Sequence, residues 1–341
     1  MPNISVVIPV YNNNEFQIKR AVQSVLNQTY SNFEIIIIND GSENQYDSIY
    51  RDLESLDTRI TYYKKKNGGA SSARNYGVLH ARGNYISFLD ADDALLPNFL
   101  EEALSILIEE GADFVIGGVS ISDSFDIKKS KNTNIQTYTK ERIPSMIKHF
   151  LGDILYFEDG YINRGPVSRL LKIEYAKKVM FDEKLVLGED VVWNLDLLSL
   201  VNKVCIVKKV WYIYYENPIS ALHRYSELVI KQLADKLIEI KKRININEDN
   251  LKFSYCNQIL HDLKRVNDQF YNHEDCSLSI YEKNQIIKNN IYNKYPWNEI
   301  LDFNFFMNSS IKDKIVIIFY KLRILYYYWT LKKSIGGVFN G

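Results

Sequence analysis

The sequence predicts an α/β fold, with a mostly parallel central sheet covered by helices on both faces and a helical C-terminal region. Three observations predict it. Short, near-continuous apolar runs alternate with segments whose apolar residues recur at helical spacing, the pattern of strands buried on both faces. The runs at Ile4–Val10, Phe33–Ile38 and Tyr85–Leu89 end in polar, turn-forming or acidic residues. From about residue 226 onward only helical periodicity remains.

The elements follow in order. Ile4–Val10 reads as a strand, and Glu15–Gln28 as a helix with Ile18, Val22 and Val25 on one face. Phe33–Ile38 is a second buried strand, and Tyr46, Ile49, Leu53 and Leu56 mark a helix. Ile60–Tyr63 is a short strand, and Ser71–Ala81 a helix after the turn Asn67-Gly68-Gly69. Tyr85–Leu89 is a strand, and Pro97 is expected in the first turn of a helix running to Glu110, where its missing N–H costs little. Asp113–Ile116 is a strand, the polar stretch 120–140 a loop, Val191–Leu200 a helix, and Val204–Val207 and Trp211–Tyr215 strands. Ile230, Leu233, Leu237, Ile240 and Ile244 share one helical face, as do Ile259, Leu263, Val266 and Phe270. A boundary near 225 separates a domain of residues 1–225 from a helical region, 226–341.

Composition bounds the function. At 46% hydrophobic and 25% charged the chain is globular. Forty-two basic and forty-two acidic residues balance, which gives no footprint for nucleic acid. Cys205, Cys256 and Cys276 are far apart and odd in number, so they suggest neither a metal motif nor a disulfide framework; buried thiols in a reducing cytoplasm are expected. The N-terminus lacks the basic leader of a signal peptide. No window reaches the ~18 uncharged apolar residues of a spanning helix.

Five motifs carry chemistry. Asp90-Ala91-Asp92-Asp93 closes an apolar strand with three carboxylates. Such clustering calls for a partner, and a hard divalent cation is the simplest. Pro9-Val10-Tyr11-Asn12 and Asn39-Asp40-Gly41-Ser42 end neighbouring strands; each alone is a good turn sequence, but together they offer a ring and a carboxylate to a base. Asn67–Gly77 sets glycines before a helix, as anion sites do, with Arg74 in its first turns, yet it is neither a Walker A loop nor a dinucleotide fingerprint. Gly188-Glu189-Asp190 precedes the apolar Val191-Val192-Trp193; a helix-start acid pair would read the same way in isolation.

Taken in order, with Ser5–Asn12 and Ser24-Val25-Leu26-Asn27-Gln28-Thr29-Tyr30, these blocks resemble a family 2 inverting glycosyltransferase of the GT-A, Rossmann-like fold, of the kind found in bacterial surface polysaccharide synthesis. The resemblance covers roughly residues 3–225. It implies a UDP-sugar donor, a divalent metal (Mn²⁺ or Mg²⁺) and a glycan or lipid-linked acceptor. By matching position, Asp40 would contact uracil, Pro9 and Tyr11 would line the base pocket, and Asn67 and Arg74 would help hold the nucleotide. Asp90, with Ala91 beside it, would reach the ribose, and Asp92 would bind the metal. Asp190 would be the catalytic base, with Glu189 contacting acceptor or donor sugar. Asn39 stands where the family often has aspartate, and Asp93 is an extra acid expected to cap the following helix.

Some readings stay open. His223 is either a further metal contact or an ordinary exposed histidine. Trp211 and the tyrosines after it suit an acceptor site or the core equally. A sugar nucleotidyltransferase or a catalytically silent nucleotide-sugar-binding partner are the alternative functions. In Ile311–Lys333 six cations stand against Asp313, with apolar and aromatic residues between them. That segment fits peripheral contact with the inner face of a membrane, or a core or homodimer helix.

Overall fold

The computed structural model describes residues 1–121, 134–152, 155–157, 159–216, 224–246 and 249–331. It falls into two compact units, Met1–Phe150 with Ile154–Asn217, and Leu151–Asp153 with Pro218–Gly341.

The first unit is built on one sheet. Strands β1 (Ile4–Val10), β2 (Phe33–Asn39), β3 (Ile60–Lys64) and β4 (Tyr85–Phe88) pair in the order β3-β2-β1-β4, all parallel. Their residues alternate between two cores. Val6, Ile8, Ile35 and Ile37 pack to one side with helices α1 (Glu15–Leu26), α2 (Asn44–Asp52) and, after the two-residue β5 (Ala94–Leu95), α4 (Phe99–Glu109). Val7, Ile36, Ile38 and Phe88 pack to the other with α3 (Gly69–His80). Burial on both faces is why these strands read as unbroken apolar runs. An Asn14–Gln17 capping box starts α1.

Beyond β4 the sheet is mixed, not mostly parallel. The other strands are β6 (Phe114–Ile121), β7 (Ile135–Thr139), β8 (Tyr156–Phe157), β9 (Gly160–Ile162), β10 (Arg169–Lys172) and β11 (Lys203–Tyr214). β10 sits antiparallel between β4 and β6, and β7 and β5 pair antiparallel with β11. Alternation of apolar residues is the same for either direction, so periodicity could not report the reversal. Helices α5 (Ile143–Phe150), α6 (Ile173–Lys178) and α7 (Glu189–Leu200) complete the second face.

Three local expectations change. Part of the 120–140 stretch is strand β7, because its alternating Ile135-Gln136-Thr137-Tyr138-Thr139 adds an edge to β11. The two strands expected at 204–207 and 211–215 are one, β11, whose register against β6 shifts between Ile206 and Val210 where Lys208 and Lys209 break the apolar run. Pro97 lies ahead of the N-cap Asn98 rather than in the helix.

The second unit is helical over its described residues: α8 (Val229–Arg243), α9 (Asp249–Val266) continued by the π-turn Asn267–Tyr271, α10 (Ile280–Asn290), α11 (Phe303–Asn308) and α12 (Ile311–Lys321). Both predicted faces are buried, Ile230 to Ile244 and Ile259 to Phe270. Cys205, Cys256 and Cys276 are buried free thiols.

Candidate active site

Because β1, β2, β3 and β4 are parallel, their carboxyl ends share one edge, the place where open α/β sheets bind ligands. The first two turns interlock there. The Asp40 N–H donates to the Val10 carbonyl at 3.0 Å, and the Asn12 N–H to Ser42 Oγ at 3.0 Å. Asn12 adopts φ +54°, which asparagine tolerates, and its Oδ1 accepts from the Glu43 N–H. This leaves Tyr11 half exposed at 53%, beside Pro9 of β1.

Asp40 is buried, and its carboxylate is already engaged. It accepts from Lys65 Nζ at 2.6 Å, from the Gly68 N–H at 3.0 Å and from the Gly69 N–H at 2.7 Å, while Asn67 Nδ2 donates to the Asp40 carbonyl. Asp40 therefore ties the glycine turn before α3 to the end of β2. Asn39 points the other way, donating to Tyr62 and Asp47 and accepting from the Ser42 N–H.

Arg74 joins the strand ends to α7. Its side chain is buried, with Nη2 2.9 Å from Asp90 Oδ1, Nη1 3.6 Å from Glu189 Oε1, and the guanidinium 5.5 Å from the Phe181 ring. Burial alone would lower its pKa, but Asp90 and Glu189 outweigh that and raise it. Of the two partners open to this cation, an external anion or a salt bridge, the described residues supply the second, through Asp90 and Glu189. Glu189 is pushed up to about 7, first by burial and then by Asp190, against the pull of Arg74. Gly188, at φ +80°, lets the chain turn into α7, and Asp190 Oδ1 accepts from the Val191 N–H at 2.8 Å.

The Asp90–Asp93 loop is held from behind. Arg20 of α1 donates to the Asp92 carbonyl and lies 3.5 Å over the Tyr215 ring. Asp93 is not a helix cap. It is buried, accepts from Tyr212 Oη at 2.5 Å and from the Tyr215 N–H at 2.9 Å, and is pushed up to about 8 by burial and by Asp90. It fastens the end of β11, and α4 starts too far on, at Phe99, for it to cap. Trp211 belongs to the core: it is buried, packs on Phe99 and donates to Glu102.

One buried group escaped the sequence reading. Arg169 of β10 is fully buried and donates to Asn194 Oδ1 and to the carbonyls of Asn163 and Val167. Asn194 Nδ2 in turn donates to the Asp190 carbonyl at 2.7 Å. Burial lowers the Arg169 pKa to about 9, partly countered by Asp190. The available signal was an arginine opening the apolar run Arg169-Leu170-Leu171 and an asparagine inside an apolar helix. His223 lies outside the described residues.

Among the described residues, no three His, Cys, Asp or Glu side chains gather to hold a metal by themselves. Asp92 offers hard carboxylate oxygens two positions beyond Asp90, whose Oδ1 is paired with Arg74. Mg²⁺ is commonly held by one or two carboxylates plus substrate phosphates, so this set fits a cation shared with a diphosphate rather than a resident ion in a protein cage.

Fold and site together describe an α/β protein whose buried charges and turns gather at the carboxyl ends of its parallel strands. Residues 5–167 match the family model of Glycosyl transferase family 2. The chain's relatives include Glycosyltransferase GlyA of Streptococcus pneumoniae serotype 4, 28% identical over 69% of this chain and 34% of that protein. The uncharacterized glycosyltransferase EpsJ of Bacillus subtilis is 31% identical over 64% of this chain and 63% of its own length. The minor teichoic acid biosynthesis protein GgaB of Bacillus subtilis is 31% identical over 62% of this chain and 23% of that protein. The chain thus spans about a third, under two thirds and about a quarter of these relatives. A crystal structure of S. aureus TarS 1-349 in complex with UDP-GlcNAc shares the fold, with TM-score 0.67 over 98% of this chain and 92% of that one at 16% identity. The architecture is a GT-A-like α/β fold with a mixed sheet.

Proposed function

We propose that the chain transfers a sugar, with inversion, from a nucleoside-diphosphate sugar to a hydroxyl of a glycan or lipid-linked glycan. UDP is the nucleotide we assign, which the UDP-GlcNAc complex of the TarS neighbour supports. The observation that carries the reading is Arg74, a buried cation that brings Asp90 and Glu189 together in a family 2 domain.

The nucleotide would lie along the strand ends. Pro9 and Tyr11 would line the base, and Asp40 would accept its N–H while holding Asn67 and the glycine turn in place. Asp90 and Ala91 would face the ribose. Arg74 is covered by two carboxylates, so it acts on the nucleotide by positioning Asp90. Asp92 would hold the divalent cation, which when bound supplies charge stabilisation to the leaving diphosphate.

Asp190 would take the proton from the acceptor hydroxyl as its oxygen attacks the anomeric carbon. Glu189 is tied to Arg74, which leaves Asp190 for that role. Glu189 is raised toward neutrality, so it is suited to contact a sugar hydroxyl as donor or acceptor. The deciding experiment measures release of UDP from a panel of UDP-sugars with Mn²⁺, with and without glycan acceptors. Acceptor-dependent turnover is expected. UDP-sugar binding without turnover on any acceptor, in a chain with Asp92 and Asp190 intact, would instead favour the silent binding partner.

A further inference from the structure

Helix α12 presents an apolar stripe to solvent. Ile311, Ile315, Ile318 and Leu322 recur at helical spacing and are 79%, 40%, 43% and 61% exposed, while Ile317 and Tyr320 on the opposite side are buried. Single exposed apolar residues are ordinary, but an aligned row marks an interaction surface. At about 100° per residue, Lys312 flanks the stripe on one side and Lys314 and Lys321 on the other. Arg323 follows, and Asp313 is the one acid in Ile311–Arg323. The whole chain is neutral, so this cationic frame is local. The preceding helix α11 also exposes Phe303 and Met307, one turn apart. Beside α12 lies a cavity of ≈ 440 Å³ whose lining includes Lys264, Lys312, Tyr328 and Trp329.

We propose that this face of α12 docks on an anionic lipid surface. The stripe would enter the boundary between headgroups and acyl chains, with the flanking lysines on lipid phosphates. Charge selects this occupant over a second copy of the chain. In a two-fold pair the same surface meets itself, and a stripe framed by lysines on both sides would set cations against cations. An anionic bilayer complements both edges. At 11 residues α12 can lie on a bilayer but not cross it, and no described helix is long and apolar enough to do so. The proposal does not depend on the transferase reading.

The test is co-sedimentation of the full chain with vesicles of phosphatidylcholine alone or mixed with phosphatidylglycerol. Binding to the anionic vesicles is expected, with little on the neutral ones. Changing Lys321→Ala should weaken it about fivefold, the effect of one surface cation. The double change Ile315→Glu with Ile318→Glu should abolish it and leave circular dichroism and thermal unfolding unchanged, because both residues are exposed. Equal recovery on neutral and anionic vesicles, or binding untouched by the double change, would overturn the proposal. So would a dimer in sedimentation equilibrium that the double change dissolves, with no vesicle binding.

Discussion

Arg74 and Arg169 are both buried guanidiniums, and their surroundings separate their fates. Arg74 has two carboxylates and rises in pKa, whereas Arg169 donates to neutral oxygens and falls to about 9. The first bridges the strand ends to α7, and the second supports the first turn of α7 through Asn194. On the proposed mechanism, Asp190→Asn should keep UDP affinity in calorimetry and lose about a hundred- to ten-thousand-fold in turnover. Near-normal turnover would remove Asp190 as the base. Asn194→Ala touches no reacting group, yet a shift of the α7 turn should lower turnover by up to about a hundredfold with UDP affinity retained. Glu189 gives a pH signature. Its ordinary value is 4.5 and its folded value about 7, so the folded state keeps a proton that the unfolded chain has released. Stability should therefore fall as pH climbs through that window, and Glu189→Gln should flatten the fall between about pH 4.5 and about pH 7 in thermal unfolding. An identical slope in the variant would assign the window to other groups.

At the scale of elements, the antiparallel β10 turns a parallel sheet into a mixed one, and Asp113 secures it. Its carboxylate accepts from Lys172 of β10 at 2.6 Å and from the Asn202 and Lys203 N–H groups at the start of β11. Burial would raise its pKa, but Lys172 and the amides outweigh it and hold the group below its ordinary 3.8. This support is present above about pH 3.8 and is lost as pH falls through the lower folded value. Lys172 stays 34% exposed, so much of the effect lies in the amides. Asp113→Ala should cost about 2–3 kcal/mol in denaturant unfolding. Helix α3 is placed by another contact: a Cβ on Gly77 would lie 2.3 Å from Val7 Cγ1 of β1. Gly77→Ala should thus destabilise by about 1–2 kcal/mol despite the better helix propensity of alanine.

For the whole molecule, the ligand is predicted to stabilise the unit that holds the strand ends. UDP with Mn²⁺ at about a hundred times its Kd should add about 2.7 kcal/mol to unfolding of that unit, and chelation or Asp92→Ala should remove most of the gain. A UDP shift indifferent to chelator would take the metal out of the reading. The site itself was legible in part. Asp40, Asp90 and Asp92 stood out where apolar runs end, Arg74 after a glycine turn, and Glu189 and Asp190 at the start of an apolar run. That Arg74 would meet Asp90 and Glu189, and that Asp40 would spend its carboxylate on a glycine turn, was not. The strands and helices between residues 4 and 116, the turns at their strand ends and the helical faces of residues 230–270 were legible in the sequence, because period and turn chemistry act between near neighbours. The tertiary structure alone decided the reversed β10, the single long β11, the partners of the buried charges and the exposure of the α12 stripe. Those depend on which distant segments meet, and one element's periodicity is the same whichever neighbour it finds.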